Sequence, residues 1–304
     1  MKKLSLFTII ILFIISCSSN EPYIVTNPIS DVTISGYKIT SEAIATNGGS
    51  PNFKKISIGN LLNGKLFSIT TENFSAGVSL GLPVTTQEHF YNGNLLVAYI
   101  SGTRKTDFYY DSQNRLIGAK LTLNFNNPLL LQGYNYYRFT HISNSIVYFE
   151  KTSLPYNDPS LVVSSRNILE FDTNDNLIKV GGDANFDGIS ENQKQFTYFN
   201  NNIVTSQIQG QAIINYTYSD VIDTFAILNE KSFGKKNLRI ICSEVSTFFN
   251  AIETQNLSKQ LLSQEVIDNN YEVLSNNYYK KKTKLINFPQ SNYTESIITE
   301  FFFN

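Results

Sequence analysis

The stretch whose oxygens are spaced for metal chemistry is GGDANFDGISENQ, in which Asp183, Asn185 and Asp187 alternate and Gly188 follows. Alternate oxygen ligands, then a glycine that permits a sharp turn, are how a loop wraps a hard cation such as Ca²⁺. The second half departs from that pattern. The twelfth position of such a loop takes a bidentate Glu, and here it is Lys194, which leaves Glu191 at the ninth as the remaining carboxylate. Two readings stand side by side: a structural Ca²⁺ site built from Asp183, Asn185, Asp187 and Glu191, and a polar Asn/Asp/Gly connection between two strands.

Acid–base and nucleophilic chemistry have less to work with. His89 and His141 are the only histidines, so a histidine-based triad or a multi-histidine zinc site has few candidates, and both read as strand residues. Neither an H-E-x-x-H nor a G-x-x-x-x-G-K-[ST] string occurs. A glycosidase-type pair of carboxylates depends on folding rather than on spacing, so the sequence leaves it open. The expectation is that the protein is not an enzyme.

Cys17 carries the most specific signal. Lys2 and Lys3 precede an apolar run from Leu4 to Ile15 interrupted by Ser5 and Thr8, and Ile14-Ile15-Ser16-Cys17 closes it. A spanning helix needs about 20 apolar residues, so the run suits the core of an export signal instead. The tetrapeptide resembles a bacterial lipobox, which implies a signal peptide over residues 1–16 and a lipidated Cys17. Each acyl methylene buried contributes about 0.8 kcal/mol, so several chains anchor for good. Residues 17–30 then form a polar tether with Pro22 and Pro28, of roughly 20 Å root-mean-square reach. Ser18 after the cysteine resembles the arrangement that lets Gram-negative lipoproteins reach the outer membrane. With Glu21 the only acid in the tether, periplasmic face and cell surface both stay open.

Composition sets further bounds. A formal net charge of −1 gives no sign of a nucleic-acid partner. Of two cysteines, acylation of Cys17 leaves Cys242 alone, so stability must come from the core rather than an internal disulfide. The 22 Phe and 18 Tyr, with many Ile, Val, Thr and Asn, describe a sheet-forming chain punctuated by turns. Lys280, Lys281, Lys282 and Lys284 read as a charged strand edge.

The elements that would position any site are hairpins. HFYNGNLLVAYI, FYYDSQNRLIGAK, FTHISNSIVYFE, LEFDTNDNLIKV and FTYFNNNIVTSQI align on Tyr91, Tyr110, His141, Phe171 and Tyr198, with a weaker echo at Tyr218. Alternating aromatic and polar residues put the aromatics on one face, Asn and Asp tolerate left-handed turns, and a Leu-Ile or Ile-Val pair restarts the chain. The irregular spacing of the anchors rules out a strict solenoid or propeller. Six such units give about a dozen strands, too many for a flat sheet. The expected fold is all-β: an antiparallel up-and-down meander over residues 31–304, curling into a closed or partly open barrel, with hairpins mainly at 85–220. One or two short helices are expected in the C-terminal third, over Ser246–Ile252 and from Leu257 to Ile267, packed on the sheet or plugging an open end. YTESIITEFFFN reads as a last strand.

The Tyr/Phe-Asp turns of Tyr110–Ile117 and Phe171–Ile178 resemble the YD-type repeat. Behind a lipobox, in an Asn-rich chain without Trp, they are similar to uncharacterised Bacteroidetes lipoproteins whose domain of unknown function has a porin-like β fold. The resemblance covers roughly residues 85–220 and implies a fold, with no catalytic residues to carry over. It departs at Tyr198-Phe199, which lacks the Asp, and at His141, which lacks aromatic and Asp alike. The expected function is that of a membrane-anchored cell-envelope protein, a binding or structural module meeting a protein or glycan through its loops. The alternative is a carrier holding a lipid or other apolar ligand in a partly open barrel. A filled interior favours the first, and an apolar cavity of several hundred Å³ the second.

Overall fold

Hydrophobic and polar side chains alternate along most of this chain, and the strands follow that alternation. The computed structural model describes residues 33–45, 53–241, 258, 260–288 and 293–304. Cys17, Cys242, the leader, the tether and the helix expected at 246–252 lie outside the described residues. The first strands are β1 (Ile34–Ala45), β2 (Phe53–Leu62), β3 (Lys65–Ser75) and a short return strand β4 (Val78–Ser79). A regular meander follows: β5 (Val84–Asn92), β6 (Leu95–Ser101), β7 (Arg104–Tyr110), β8 (Leu116–Leu123), β9 (Gly133–His141), β10 (Ile146–Thr152), β11 (Val163–Phe171), β12 (Leu177–Gly182), β13 (Glu191–Phe199), β14 (Asn202–Ile208) and β15 (Ile214–Asn215). The remainder comprises β16 (Tyr218–Ile222), α1 (Thr224–Phe233), α2 (Lys235–Ile241), β17 (Gln260–Leu262), α3 (Ser263–Asp268), β18 (Asn270–Val273), β19 (Tyr279–Phe288) and β20 (Tyr293–Phe303).

Each strand of the meander pairs antiparallel with the next, and β20 returns to pair with β1 from Ile34↔Phe303 to Ala45↔Tyr293. The sheet therefore starts at β18, runs through β19, β20 and β1, and ends at β15. Among the described residues no ladder joins β15 to β18, so the barrel is partly open. A separate pair spans the seam. β16 pairs with β17, the Gln260 N–H donates to Asn202 Oδ1 on β14 at 2.9 Å, and Ile222 bridges to Tyr278 beside β19.

The sheet curls around α1 and α2. On α1, Phe225 lies edge-on to Tyr37 of β1 and Phe301 of β20, while Phe233 meets His89 of β5. On α2, Lys236 lies over Phe171 at the end of β11. Leu228, Phe233, Leu238, Ile240 and Ile241 are buried in the two apolar clusters that the sheet encloses. Burying each such side chain is worth roughly 1.5–3 kcal/mol, so the helix pair is a large share of the core.

These helices lie earlier in the chain than the sequence reading placed them. The segment after Tyr218, read as a hairpin, begins with strand β16 but then turns into α1. Asp223 caps α1, its carboxylate accepting from the Phe225 and Ala226 N–H groups, and Gly234 ends it at φ 79°. Further on, Leu261 sits in β17, and helix is found only from Ser263 as α3. The last strand matches expectation. The lysine cluster does so in part: β18 covers β19 from Tyr279 to Thr283, Lys281 pairs with Glu272, and Lys282 lies over Tyr271. Lys284 stands on the stretch that pairs only with β20.

Connections alternate between two ends of the sheet. One end has the tight turns, where Asn63 and Gly64, or Asn200 and Asn201, all take positive φ. That is the twist-matching geometry that Asn and Gly supply most readily. The two Tyr/Phe-Asp turns belong here and are built alike. Asp111 Oδ1 accepts from the N–H groups of Gln113 and Arg115, and Asp172 Oδ1 from those of Asn174 and Asn176, with Asn114 and Asp175 at φ 62° and 58°.

The aligned aromatics staple neighbouring hairpins. Tyr91 donates its hydroxyl to the Leu66 carbonyl at 2.8 Å, Tyr110 to Leu96 at 2.8 Å, and Tyr198 to Leu177 at 3.0 Å. His141 takes the same part, its Nε2–H facing the Leu116 carbonyl at 2.8 Å. Each anchor reaches back to the restart of the preceding hairpin, and each bond contributes about 1 kcal/mol. The repeated pattern thus has a mechanical reason in every unit except that of Phe171, which has no hydroxyl, and the weaker echo at Tyr218, whose hydroxyl bonds Ser258 instead.

Candidate functional site

The other end of the sheet carries the longer loops, and the candidate Ca²⁺ loop is one of them. Asp183 follows β12, is fully buried, and accepts from Arg166 Nη1 at 3.3 Å and the Gly188 N–H at 3.2 Å through Oδ2. Asn185 and Asp187 bond each other, and Asp187 Oδ1 also accepts from the Ile189 N–H at 2.8 Å. Glu191 begins β13, with Oε2 3.4 Å from the Ala184 N–H. Among the described residues no three His, Cys, Asp or Glu side chains form a group able to hold a metal ion. In this conformation the guanidinium of Arg166 faces Asp183, where a cation would stand.

Arg166 links the loop to a charge cluster on the outer face of the sheet. Glu150 on β10, only 1% exposed, accepts from Arg138 Nε at 2.7 Å, Arg166 Nε at 2.9 Å and the Thr140 hydroxyl at 3.0 Å. Cross-strand register places the three together, since Glu150 lies opposite Arg138 on β9 and Arg166 on β11. Burial alone would raise its pKa, but the donors from Arg138, Arg166 and Thr140 hold it below the usual carboxylate range. Two glycines let loops settle over this face. A Cβ at Gly118 would stand 2.4 Å from the Tyr156 ring, and one at Gly181 2.2 Å from Ser190 Oγ. Every charge in the cluster is matched by a neighbour, which makes it a strap for the loops.

Neither histidine has a catalytic setting. His89 on β5 is buried against Tyr99 and Phe233, and burial lowers its pKa to about 4, a hydrogen bond with the Phe67 backbone acting the other way. Gly77-Val78-Ser79-Leu80-Gly81 has the G-x-S-x-G spacing of a nucleophile elbow, a string the sequence reading overlooked. That motif needs a strand-to-helix turn, and here it follows the β3–β4 turn, with Ser79 Oγ on Glu72 and on the Gly81 carbonyl, both at 2.7 Å.

What sequence reasoning missed is a recess of about 410 Å³ on the core side of β1, β2, β3, β5 and β6, toward the loop end. Its apolar part is Tyr37, Ile39 and Ile69; its polar part is Lys55, Ser57, Thr71, Thr86, Gln87 and Ser101. Period-two alternation puts most of these residues on the core face, and a register shift in the β3–β5 ladder brings the consecutive Thr86 and Gln87 to it together; such polar side chains facing a core are legible only once the strands are paired.

The same end displays large apolar side chains on its loops. Leu82 before β5 is 88% exposed, and Leu129 and Leu131 between β8 and β9 are 90% and 93% exposed. Val162, Ile189 and Ile213 on three later loops are also exposed. Near the tight turns the exposed counterparts include Leu62, Phe67, Phe90, Ile142 and Phe199.

No protein-family model matches the chain, and no curated protein matches it. Among solved structures it is similar to a porin-like protein from Bacteroides uniformis ATCC 8492, at 10% identity and a TM-score of 0.40, over 90% of this chain and 98% of that one. The architecture of the sheet follows from the strand pairings of the chain itself.

Proposed function

We propose that the chain is a membrane-tethered β module of the bacterial cell envelope that recognises its partner through the loop end of the sheet. One observation carries this reading: the two ends are built differently. Tight turns and a helix pair fill one end, whereas the other presents a recess and loops bearing exposed Leu, Val and Ile. Loops on a rigid frame are where binding residues concentrate, and clustered exposed apolar side chains mark contact surfaces. The outer face supports a tethered rather than a spanning protein. Register puts Lys54, Glu72, Asp107, Lys120 and Glu150 on it, and charges on a lipid-facing band are destabilising. No helix among the described residues is long and apolar enough to cross a membrane.

The lipobox supports attachment through Cys17, and the Tyr/Phe-Asp turns support kinship with the Bacteroidetes lipoproteins. We assign no reaction to the protein. For the alternative, a carrier of an apolar ligand, the recess has the volume, and its lining mixes Tyr37, Ile39 and Ile69 with Lys55 and four Ser and Thr hydroxyls.

Fractionation tests the tether: Cys17→Ser should abolish fatty-acid labelling and release the protein from membranes, and unchanged labelling and fractionation would overturn the lipoprotein reading. Recognition is tested by sedimenting the released protein with purified peptidoglycan and with outer-membrane vesicles. Leu129→Ser with Leu131→Ser should abolish co-sedimentation, while Phe199→Ser at the turn end leaves it intact. Equal behaviour of the two variants would remove the functional distinction between the ends.

A further inference from the structure

We propose that the recess on β1–β6 binds a small hydroxylated anion, such as a sugar acid. The inference rests on the loop end being the recognition end and adds the ligand's chemistry. Lys55 is the one charged side chain of the lining, and its ammonium takes part in none of the ion pairs among the described residues. The neighbouring Lys54 points to the opposite face and pairs with Glu42. Glu295, the carboxylate on the core face of β20, is engaged by the Ser41 hydroxyl at 2.6 Å. Lys55 is exposed at the rim of the recess, so its ammonium is free to meet an anionic group that enters there.

The hydroxyls state the complementary demand. Thr86 donates to the Ile69 carbonyl at 3.2 Å, so its contact with Thr71 at 3.1 Å is one in which Thr71 donates. Thr71 then accepts from Ser57 at 3.0 Å. A hydroxyl has one proton and two lone pairs, so this relay uses up all three protons and leaves Ser57 Oγ presenting lone pairs. Such an end accepts from a ligand O–H or N–H. Gln87 adds an amide and Ser101 a hydroxyl already bonded to Tyr99, and Ile39, Ile69 and Tyr37 supply apolar surface for a ring face. One anionic group, several hydroxyls and a small apolar face describe a sugar acid better than a fatty acid, whose chain would leave the polar groups desolvated and unpaired.

Calorimetry of the full-length lipoprotein in detergent, titrated with D-glucuronate, D-glucose, acetate and laurate, tests this. Glucuronate should bind saturably at one site, with glucose at least about tenfold weaker, since losing one charge-assisted bond costs at least about 1.4 kcal/mol, and with acetate weaker as well, since it keeps the carboxylate but lacks the hydroxyls and the ring face. Lys55→Met should weaken glucuronate about tenfold and leave glucose unchanged, with the melting temperature of the variant confirming its fold. Thr71→Val breaks the relay and should weaken both sugars. Absence of saturable glucuronate binding, binding indifferent to Lys55→Met, or laurate binding more tightly than glucuronate would each overturn the proposal. The sedimentation behaviour of the loop variants is read separately, so loss of the recess ligand and loss of the recognition end remain distinguishable.

Discussion

The turn end and the loop end are made from the same strands but obey different constraints. At the turn end the connections are short, most of them hold an Asn, Asp or Gly at positive φ, and α1 and α2 fill the space enclosed by the sheet. At the loop end the connections lengthen, polar side chains face the recess, and apolar ones face solvent. On the proposed reading, stability and recognition fall to opposite ends of one sheet, and a residue's exposure at one end does not mean what it means at the other.

The largest effect should come from the filled end. Leu238→Ala on α2, at a fully buried position, should cost about 2–5 kcal/mol through lost transfer energy and an uncollapsed cavity. Leu131→Ala at the loop end should stay within about 0.5 kcal/mol. Urea unfolding of the two variants checks this, and similar losses would mean that Leu131 is packed against neighbours rather than free in solvent. Acid sharpens the same contrast. His89 has a folded pKa of about 4 against an ordinary 6.5, so on acidification the unfolded chain takes up the proton first. Its contribution is therefore complete above pH 6.5 and falls by about 3 kcal/mol as the pH drops to about 4. Relative to wild type, His89→Leu should flatten the stability profile between those pH values and nowhere else. The smallest effect is expected at the Asp183 loop. With Arg166 on Asp183 and Asn185 on Asp187, millimolar Ca²⁺ should move the melting temperature by less than about 1 °C. A rise of about 2–4 °C, abolished by Asp187→Ala, would show that the loop rearranges to gather its oxygens around the ion.

The turn end was far more legible in the sequence than the loop end. Tyr110-Asp111 and Phe171-Asp172 announce their turns because the chemistry is local: an Asp carboxylate bonds N–H groups two and four residues on, in either hairpin. Helix α1 carried its cap, Asp223, and its stop, Gly234, in plain view, but the aromatic echo at Tyr218 pulled the reading toward another hairpin. The recess had no such local mark. Lys55, Thr71 and Thr86 come from three strands, and their meeting depends on registers that no single segment encodes. Arg166 was equally invisible as the partner of Asp183, because it reaches the loop from β11.

Pairing of β1 with β20 has a consequence for how the molecule is made. Ile34 and Phe303 are partners, so this ladder forms only after almost all of the chain between them is available, and contacts of such long sequence separation make for slow folding. During synthesis the amino-terminal part emerges first. Until β20 is delivered, the free edge of β1 offers a row of unmatched N–H and C=O groups to any other extended chain nearby. Truncation before β20 would leave that edge bare for good, and the shortened chain would be prone to pair with its own copies.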